Sequence, residues 1–102
     1  LLGGEPFLNT GTCLSLVRRV RAELPGRDVW CWTGYTFEEL RDGDADKREL
    51  LAHVDVLVDG RYERGLRDLS LTFRGSRNQR VLDVAASLDT GRAVEWAGLA
   101  TV

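Results

Sequence analysis

Three short stretches of this sequence set glycine beside a polar side chain: Gly3-Gly4-Glu5-Pro6, Thr33-Gly34-Tyr35 and Asp59-Gly60. Glycine lets a ligand approach the backbone closely and accepts dihedrals that other residues resist. Backbone groups exposed at Gly3 and Gly4 could hold the ammonium or carboxylate of a small ligand. A fourth stretch, Arg74-Gly-Ser-Arg-Asn-Gln-Arg80, places Arg74, Arg77 and Arg80 around a polar loop containing Gln79. The remaining reactive side chains offer less. Cys13 and Cys31 have no usual zinc spacing and sit among apolar residues, so they read as buried, reduced thiols of a cytoplasmic protein. His53, the sole histidine, falls at a helix end, where a cation favours the helix dipole.

These residues need elements to position them. Leu1-Leu2 reads as the end of a strand that stops at Gly3. Cys13, Leu16, Val17, Val20 and Leu24 recur at helical spacing, predicting a helix from Thr12 to Leu24 that Pro25-Gly26 ends. Asp28 to Thr33 reads as a strand, with Trp30 and Trp32 facing one side to pack in the core. Thr36-x-x-Glu39 is a capping box and opens a short helix ending near Gly43. Asp46-x-x-Glu49 reads as a second box, opening a helix from Lys47 to His53. Val54 to Val58 is almost continuously apolar, as a strand covered on both faces would be. Tyr62 to Leu69 reads as a helix weakened by Gly65, Leu71 to Phe73 as extended, residues 75–79 as a loop and Arg80 to Val84 as another strand. The tail, 91–102, holds a short strand at Ala93 to Trp96 or is loose.

Alternating strands and helices with short connections predict βα units and a largely parallel sheet. The strands near 28–33, 54–59 and 80–84 are therefore expected to be mutually parallel. Gly4, Gly34 and Gly60 should then share the edge where open α/β sheets and barrels bind ligands.

Composition bounds the rest. The 102 residues make one domain, able to bury roughly two-thirds of its unfolded surface without staples. No apolar run approaches membrane-spanning length, and the first residues lack the basic and apolar regions of a signal peptide. A net charge of −2 argues against a nucleic-acid binder. The charge is uneven: residues 36–59 hold eight acids against three bases, and residues 61–80 hold six arginines against two acids. The second stretch could present a basic face to an anionic ligand or a protein partner.

Gly3-Gly4-Glu5-Pro6 resembles the glycine-rich motif of the radical S-adenosylmethionine superfamily. Trp32-Thr-Gly-Tyr-Thr-Phe-Glu-Glu-Leu40, Asp55-Val-Leu-Val-Asp-Gly60, Asp68-Leu-Ser-Leu71 and Arg74-Gly-Ser-Arg-Asn-Gln-Arg-Val-Leu-Asp-Val84 narrow the likeness. Together they resemble the activating proteins of anaerobic ribonucleoside-triphosphate reductase, over roughly Leu2 to Leu88. The resemblance implies a partial, open (β/α) barrel, incomplete at its N-terminus, with S-adenosylmethionine as cofactor. It implies a [4Fe-4S] cluster in the full-length protein only, and the large subunit of the reductase as partner. The reaction it implies is reductive cleavage of S-adenosylmethionine, ending in a glycyl radical on that partner. It points to Gly3, Gly4, Glu5, Thr33, Gly34, Asp59 and Gln79 as cofactor-binding residues. Asp59 would meet the ribose hydroxyls or the amino group.

One departure is large. The family's Cys-x₃-Cys-x₂-Cys motif, which precedes the glycine motif, is absent here, and Cys13 and Cys31 cannot replace three converging thiolates. The chain is therefore expected to be the carboxyl-terminal part of such a protein, inactive alone. Two alternatives stand beside this reading: an activating enzyme of the pyruvate formate-lyase type, and a clusterless nucleotide-binding or interaction module that keeps the fold.

Overall fold

The computed structural model describes residues 5–98. Leu1-Leu2, Gly3 and Gly4 lie outside the described residues, as do residues 99–102. A 3₁₀ turn at Pro6–Leu8 leads into helix α1 (Thr10–Glu23). Strand β1 (Trp30–Trp32) follows, then helices α2 (Phe37–Arg41) and α3 (Ala45–Ala52), and strand β2 (Val56–Asp59). A second 3₁₀ turn spans Arg64–Leu66; strand β3 (Arg80–Asp83) and helix α4 (Val84–Thr90) complete the order.

The sheet runs β1-β2-β3. β1 and β2 are parallel, pairing Trp30 with Val56, Cys31 with Leu57 and Trp32 with Val58. β3 departs from expectation: it runs antiparallel to β2, with Asp59 opposite Arg80 and Val56 opposite Asp83. The cause lies in the connection. A parallel return needs a long crossover, usually a helix, across the sheet face. The helix expected at Tyr62 to Leu69 is only the 3₁₀ turn, because Gly65 and the scarcity of apolar residues give it no face to bury. Leu71 to Phe73 are bends rather than extended chain. The result is a mixed α/β fold with a partly parallel sheet.

Alternation within the strands separates two apolar layers. Cys31, Leu57 and Leu82 face the helices and join Phe7, Val17, Phe37, Leu40, Leu50 and Leu51 in the main core. Val56, Val58 and Val81 form a smaller layer on the other face, against Trp30 and Trp96. Of the tryptophans of β1, Trp30 packs against this second layer as expected, whereas Trp32 stays outside the core. Trp30 is half-buried and Trp32 is 45% exposed, and they pack with Phe73 and Trp96 as an aromatic cluster whose ring centroids lie 4.9–6.0 Å apart.

Local chemistry sets the helix ends. On α1 the buried stripe is Cys13, Leu14 and Val17; Leu16 and Leu24 point outward. Thr36 and Glu39 form the expected capping box. The cap of α3 is Asp44, not Asp46: its carboxylate accepts the Lys47 amide at 2.9 Å. Asp44 is the first side chain after Gly43 able to do so, and Asp46 falls in the first turn, where its charge favours the dipole. His53 is the C-cap of α3. Helix α4 went unread in the sequence, although Asp83 caps it through the Ala86 amide and Gly91, at φ 73°, ends it. Beyond it the tail pairs with β3: Asp83 N donates to Val94 O at 2.8 Å and Trp96 N to Val81 O at 2.9 Å.

Candidate functional site

The parallel pairing of β1 and β2 continues past both strands. Thr33 N donates to Val58 O at 3.0 Å, and Gly60 N to Tyr35 O at 2.8 Å. This aligns Thr33-Gly34-Tyr35 with Asp59-Gly60 at one sheet edge, as the sequence implied.

Glu5 joins that edge to the start of the chain. It caps the 3₁₀ turn, accepting the Phe7 amide at 3.1 Å. The same carboxylate accepts the Thr33 hydroxyl at 2.8 Å and the Gly34 amide at 2.6 Å. Thr33 Oγ1 in turn accepts the Tyr35 amide at 3.1 Å. The Gly34 and Tyr35 amides, which the ladder to β2 does not take, are thus met by side chains.

Gln79 performs the same service at β2. Its Nε2 donates to Gly60 O at 3.0 Å, and its Oε1 accepts the amides of Gly75 at 2.9 Å and Ser76 at 3.2 Å. Gly60 takes φ 96°, a dihedral that favours glycine. Gly34 has no such constraint, and a Cβ built there would meet Glu5 Oε1 at 3.4 Å and Arg61 Cγ at 3.7 Å. One glycine serves the backbone; the other leaves its backbone accessible.

Glu5, Thr33, Gly34 and Gln79 line a single cleft of about 270 Å³ with Trp32, Gly60 and Tyr62. Sequence reasoning missed Tyr62, having assigned it to a helix, and placed Trp32 in the core. The only signal for Tyr62 was its position two residues after Gly60. A larger cavity, about 490 Å³, opens between α1 and the start of β1. Its walls are mainly Cys13, Leu16, Val17, Val20, Val29 and Trp30. Glu5, Asn9, Thr12 and Asp28 add polar groups to it, but it opens at the start of β1, whereas the smaller cleft sits at the carboxyl ends of the parallel strands, where open α/β sheets bind ligands.

Asp59 sits behind this edge and is fully buried. Its Oδ2 accepts the Phe37 amide at 2.7 Å, and its Oδ1 accepts Arg80 Nε at 2.9 Å. Arg80 also reaches Glu38 at 2.7 Å. The hydrogen bonds from Arg80 hold the Glu38 carboxyl below its ordinary range, and those to Asp59 and Glu38 hold the Arg80 guanidinium above its own. This ties β2, β3 and the start of α2 together beneath the cleft. Tyr35 is half-buried, with Lys47 Nζ 5.9 Å from its ring centre.

Cys13 and Cys31 are both free and buried, and burial pushes the Cys31 thiol up to about 12. Among the described residues no three His, Cys, Asp or Glu side chains are grouped to hold a metal ion. No helix among them is long and apolar enough to cross a membrane.

Comparison with known proteins adds an independent line. Residues 1–82 match the family described as 4Fe-4S single cluster domain. The anaerobic ribonucleoside-triphosphate reductase-activating protein of Pasteurella multocida (strain Pm70) is 46% identical over 81 residues, which are 78% of this chain and 51% of that protein. Its namesake in Escherichia coli (strain K12) is 46% identical over 83 residues, 79% of this chain and 52% of that protein. The namesake from Enterobacteria phage T4 is 42% identical over 83 residues, 79% of this chain and 49% of the phage protein. The chain thus spans about half the length of the curated relatives it matches. No solved structure matches it.

Proposed function

The chain belongs to the 4Fe-4S single cluster domain family and is a homologue of the anaerobic ribonucleoside-triphosphate reductase-activating proteins, and on that premise we propose that it is part of a cytoplasmic glycyl-radical activating enzyme. In this reading the whole protein reductively cleaves S-adenosylmethionine and leaves a glycyl radical on the large subunit of the anaerobic reductase. The observation that carries the reading is the convergence of Glu5, Thr33, Gly34 and Gln79 on one cleft at the strand ends.

A [4Fe-4S] cluster needs converging thiolates, and the described residues do not fit one: both of their cysteines are buried and no ligand group is assembled. They do fit S-adenosylmethionine. Glu5 puts a carboxylate beside a reachable Gly34 backbone, suited to a cationic amino acid moiety, and the exposed rings of Trp32 and Tyr62 flank it. When bound, S-adenosylmethionine would supply the hydrogen-abstracting radical, and the electron that cleaves it would come from a reduced [4Fe-4S] cluster held by the rest of the full-length protein.

The roles of this chain's own residues follow from their partners. Glu5 holds the ligand's positive charge and fixes the turn after β1. Thr33 keeps that turn closed through Tyr35 N. Gln79 fixes the Gly60 carbonyl in the opposite wall. Asp59, buried under Arg80 and the Phe37 amide, positions the edge. Gly3 and Gly4, immediately before Glu5, complete the methionyl side in this proposal.

The test is anaerobic calorimetry of S-adenosylmethionine binding to the full-length protein, with electron paramagnetic resonance of the reductase. We expect binding, and a glycyl radical dependent on both proteins. Undiminished cofactor affinity in Glu5→Gln and Thr33→Val variants that remain folded would remove the cleft from the site.

A further inference from the structure

Between Gly60 and Arg80 the chain leaves the sheet and returns, and this excursion carries almost no core. Of residues 61–79 only Ser76 is buried. The segment is nevertheless tied at many points. Gln79 closes its neck on Gly60 O at 3.0 Å, and Asn78 Nδ2 donates to Arg61 O at 2.7 Å. Ser76 Oγ accepts the Glu63 amide at 3.1 Å, and Arg77 N donates to Leu66 O at 2.9 Å. Fixing a residue's backbone costs about 1–2 kcal/mol, and little apolar burial within the segment offsets that.

Its charge is also unbalanced. Elsewhere Arg18, Arg19, Arg21, Arg41, Lys47 and Arg80 each meet a carboxylate, and Arg27, Arg48 and Arg92, unpaired among the described residues, are scattered over separate parts of the chain. Among the described residues Arg61, Arg64, Arg67 and Arg74 form no ion pair, and Arg74 Nε is the one buried side-chain polar atom without a hydrogen-bond partner. Of the excursion's two acids, Asp68 is turned onto Ser70. Large apolar side chains stand between the arginines: Leu69 is 84% exposed, and Tyr62 and Phe73 are exposed as well.

We propose that this excursion is a docking surface for an acidic protein partner, with Arg64 and Arg67 meeting its Asp and Glu side chains and Leu69 covered by the contact. Arginine pairs with carboxylates in a two-point geometry, and arginine and aromatic residues are enriched at protein interfaces. Arg64 and Arg67 stand three apart across the 3₁₀ turn, the spacing that sets side chains on one side. The arginines are interleaved with apolar side chains along the segment, which suits a protein surface better than a single phosphate. The surface borders the cleft, since Tyr62 and Gln79 belong to both. The proposal rests on the reading above, in which the partner is the reductase.

The experiment measures binding of the full-length protein to the anaerobic reductase at low and high salt. Arg64→Glu with Arg67→Glu should weaken binding about tenfold or more at low salt and remove most of its salt dependence. Arg64→Lys with Arg67→Lys should retain most of the affinity. Arg48→Glu, on an exposed position of α3, should leave it unchanged. S-adenosylmethionine affinity should be the same in all variants. Equal binding by the charge-reversed and parent proteins overturns the docking surface alone, as does equal weakening by Arg48→Glu. Loss of nucleotide or DNA binding on charge reversal, with reductase binding intact, also overturns it. No reductase binding by the parent protein overturns both this proposal and the partner assignment beneath it.

Discussion

Glu5 and Gly34, 29 residues apart in sequence, meet in a hydrogen bond of 2.6 Å from the Gly34 amide to the Glu5 carboxylate. Among the described residues, that carboxylate is the one side-chain acceptor for the Phe7 amide, the Thr33 hydroxyl and the Gly34 amide together. Removing it leaves three donors without their acceptor at a partly buried position. We expect Glu5→Ala to destabilise the protein by about 2–4 kcal/mol, since each unmet donor costs about 1–3 kcal/mol where water reaches it poorly. Glu5→Gln retains one acceptor oxygen and should cost less. Urea unfolding of the two variants measures the difference, and equal stabilities would deny the carboxylate this linking role.

A second relationship separates strong from weak ion pairs. Arg80 contacts both Asp59 and Glu38, but the Asp59 side chain is 1% exposed and that of Glu38 is 43% exposed. Arg80→Met leaves the buried Asp59 charge uncompensated, and should cost about 3 kcal/mol. Glu38→Gln removes a partner that water already screens, and should cost under about 1 kcal/mol. Similar losses in the two variants would mean that burial of Asp59 does not govern the network.

The same arginine sets an acid limb. Its hydrogen bonds hold the folded Glu38 carboxyl below the ordinary value of 4.5. A group whose folded pKa is depressed stabilises fully above its unfolded pKa and loses that contribution as pH falls through the folded one. Stability should therefore decline from about pH 4.5 downward, and Glu38→Gln should flatten the first part of that decline. Asp42, Asp44 and Asp68 are also held below their ordinary 3.8, so the steeper part, below that value, should persist in the variant.

What the sequence revealed and what it hid divide along physical lines. The Thr36–Glu39 capping box and the parallel pairing of the first two strands depend on local signals: a cap, a turn and an apolar run. The antiparallel return of β3 depends on whether residues 61–79 can form a crossover helix, which is decided by how little apolar face they have to bury. The sequence grouped Gly3-Gly4-Glu5, Thr33-Gly34 and Asp59-Gly60 at one edge and brought in Gln79 only through the family resemblance; Glu5, Thr33, Gly34 and Gln79 share a cleft. It could not show that Asp59 turns inward to Arg80, because the partner depends on β3 running antiparallel and setting Arg80 opposite Asp59. Trp32 and Tyr62 were missed for a related reason: an aromatic residue in a strand, or in a segment read as a helix, carries no local mark of exposure.

Both cysteines should be inert in the native protein. Thiol reagents attack the thiolate, and burial raises the Cys31 thiol to about 12, while Cys13 is also buried. A colorimetric thiol titration at neutral pH should find Cys13 and Cys31 unreactive until denaturant is added. Mass mapping of the labelled peptides distinguishes them from any other thiol in the full-length protein. Rapid native labelling of Cys31 would contradict its packing in the main core, on the helix-facing side of β1.

Gly34 and Gly60 allow the site to be tested apart from the fold. Gly60 adopts φ 96°, so alanine there is strained whatever the space around it. Gly60→Ala should lose about 1–2 kcal/mol of stability, and its effect on ligand binding would be hard to separate from that loss. Gly34 has ordinary dihedrals, and its Cβ would lie 3.4 Å from Glu5 Oε1 and 3.7 Å from Arg61 Cγ, both ordinary contacts. Gly34→Ala should therefore change stability by less than about 0.5 kcal/mol, the range of a surface substitution that breaks no contact. If the cleft holds S-adenosylmethionine against the Gly34 backbone, the added methyl group occupies the path of approach. An ångström of displacement can cost about a hundredfold in rate, so glycyl-radical formation should fall by that order while the thermal melt stays where it was. Calorimetry and melting on one preparation supply both readouts. A Gly34→Ala protein that melts normally and still binds S-adenosylmethionine with parental affinity would show that this glycine only turns the chain, and the cleft would lose its central backbone contact.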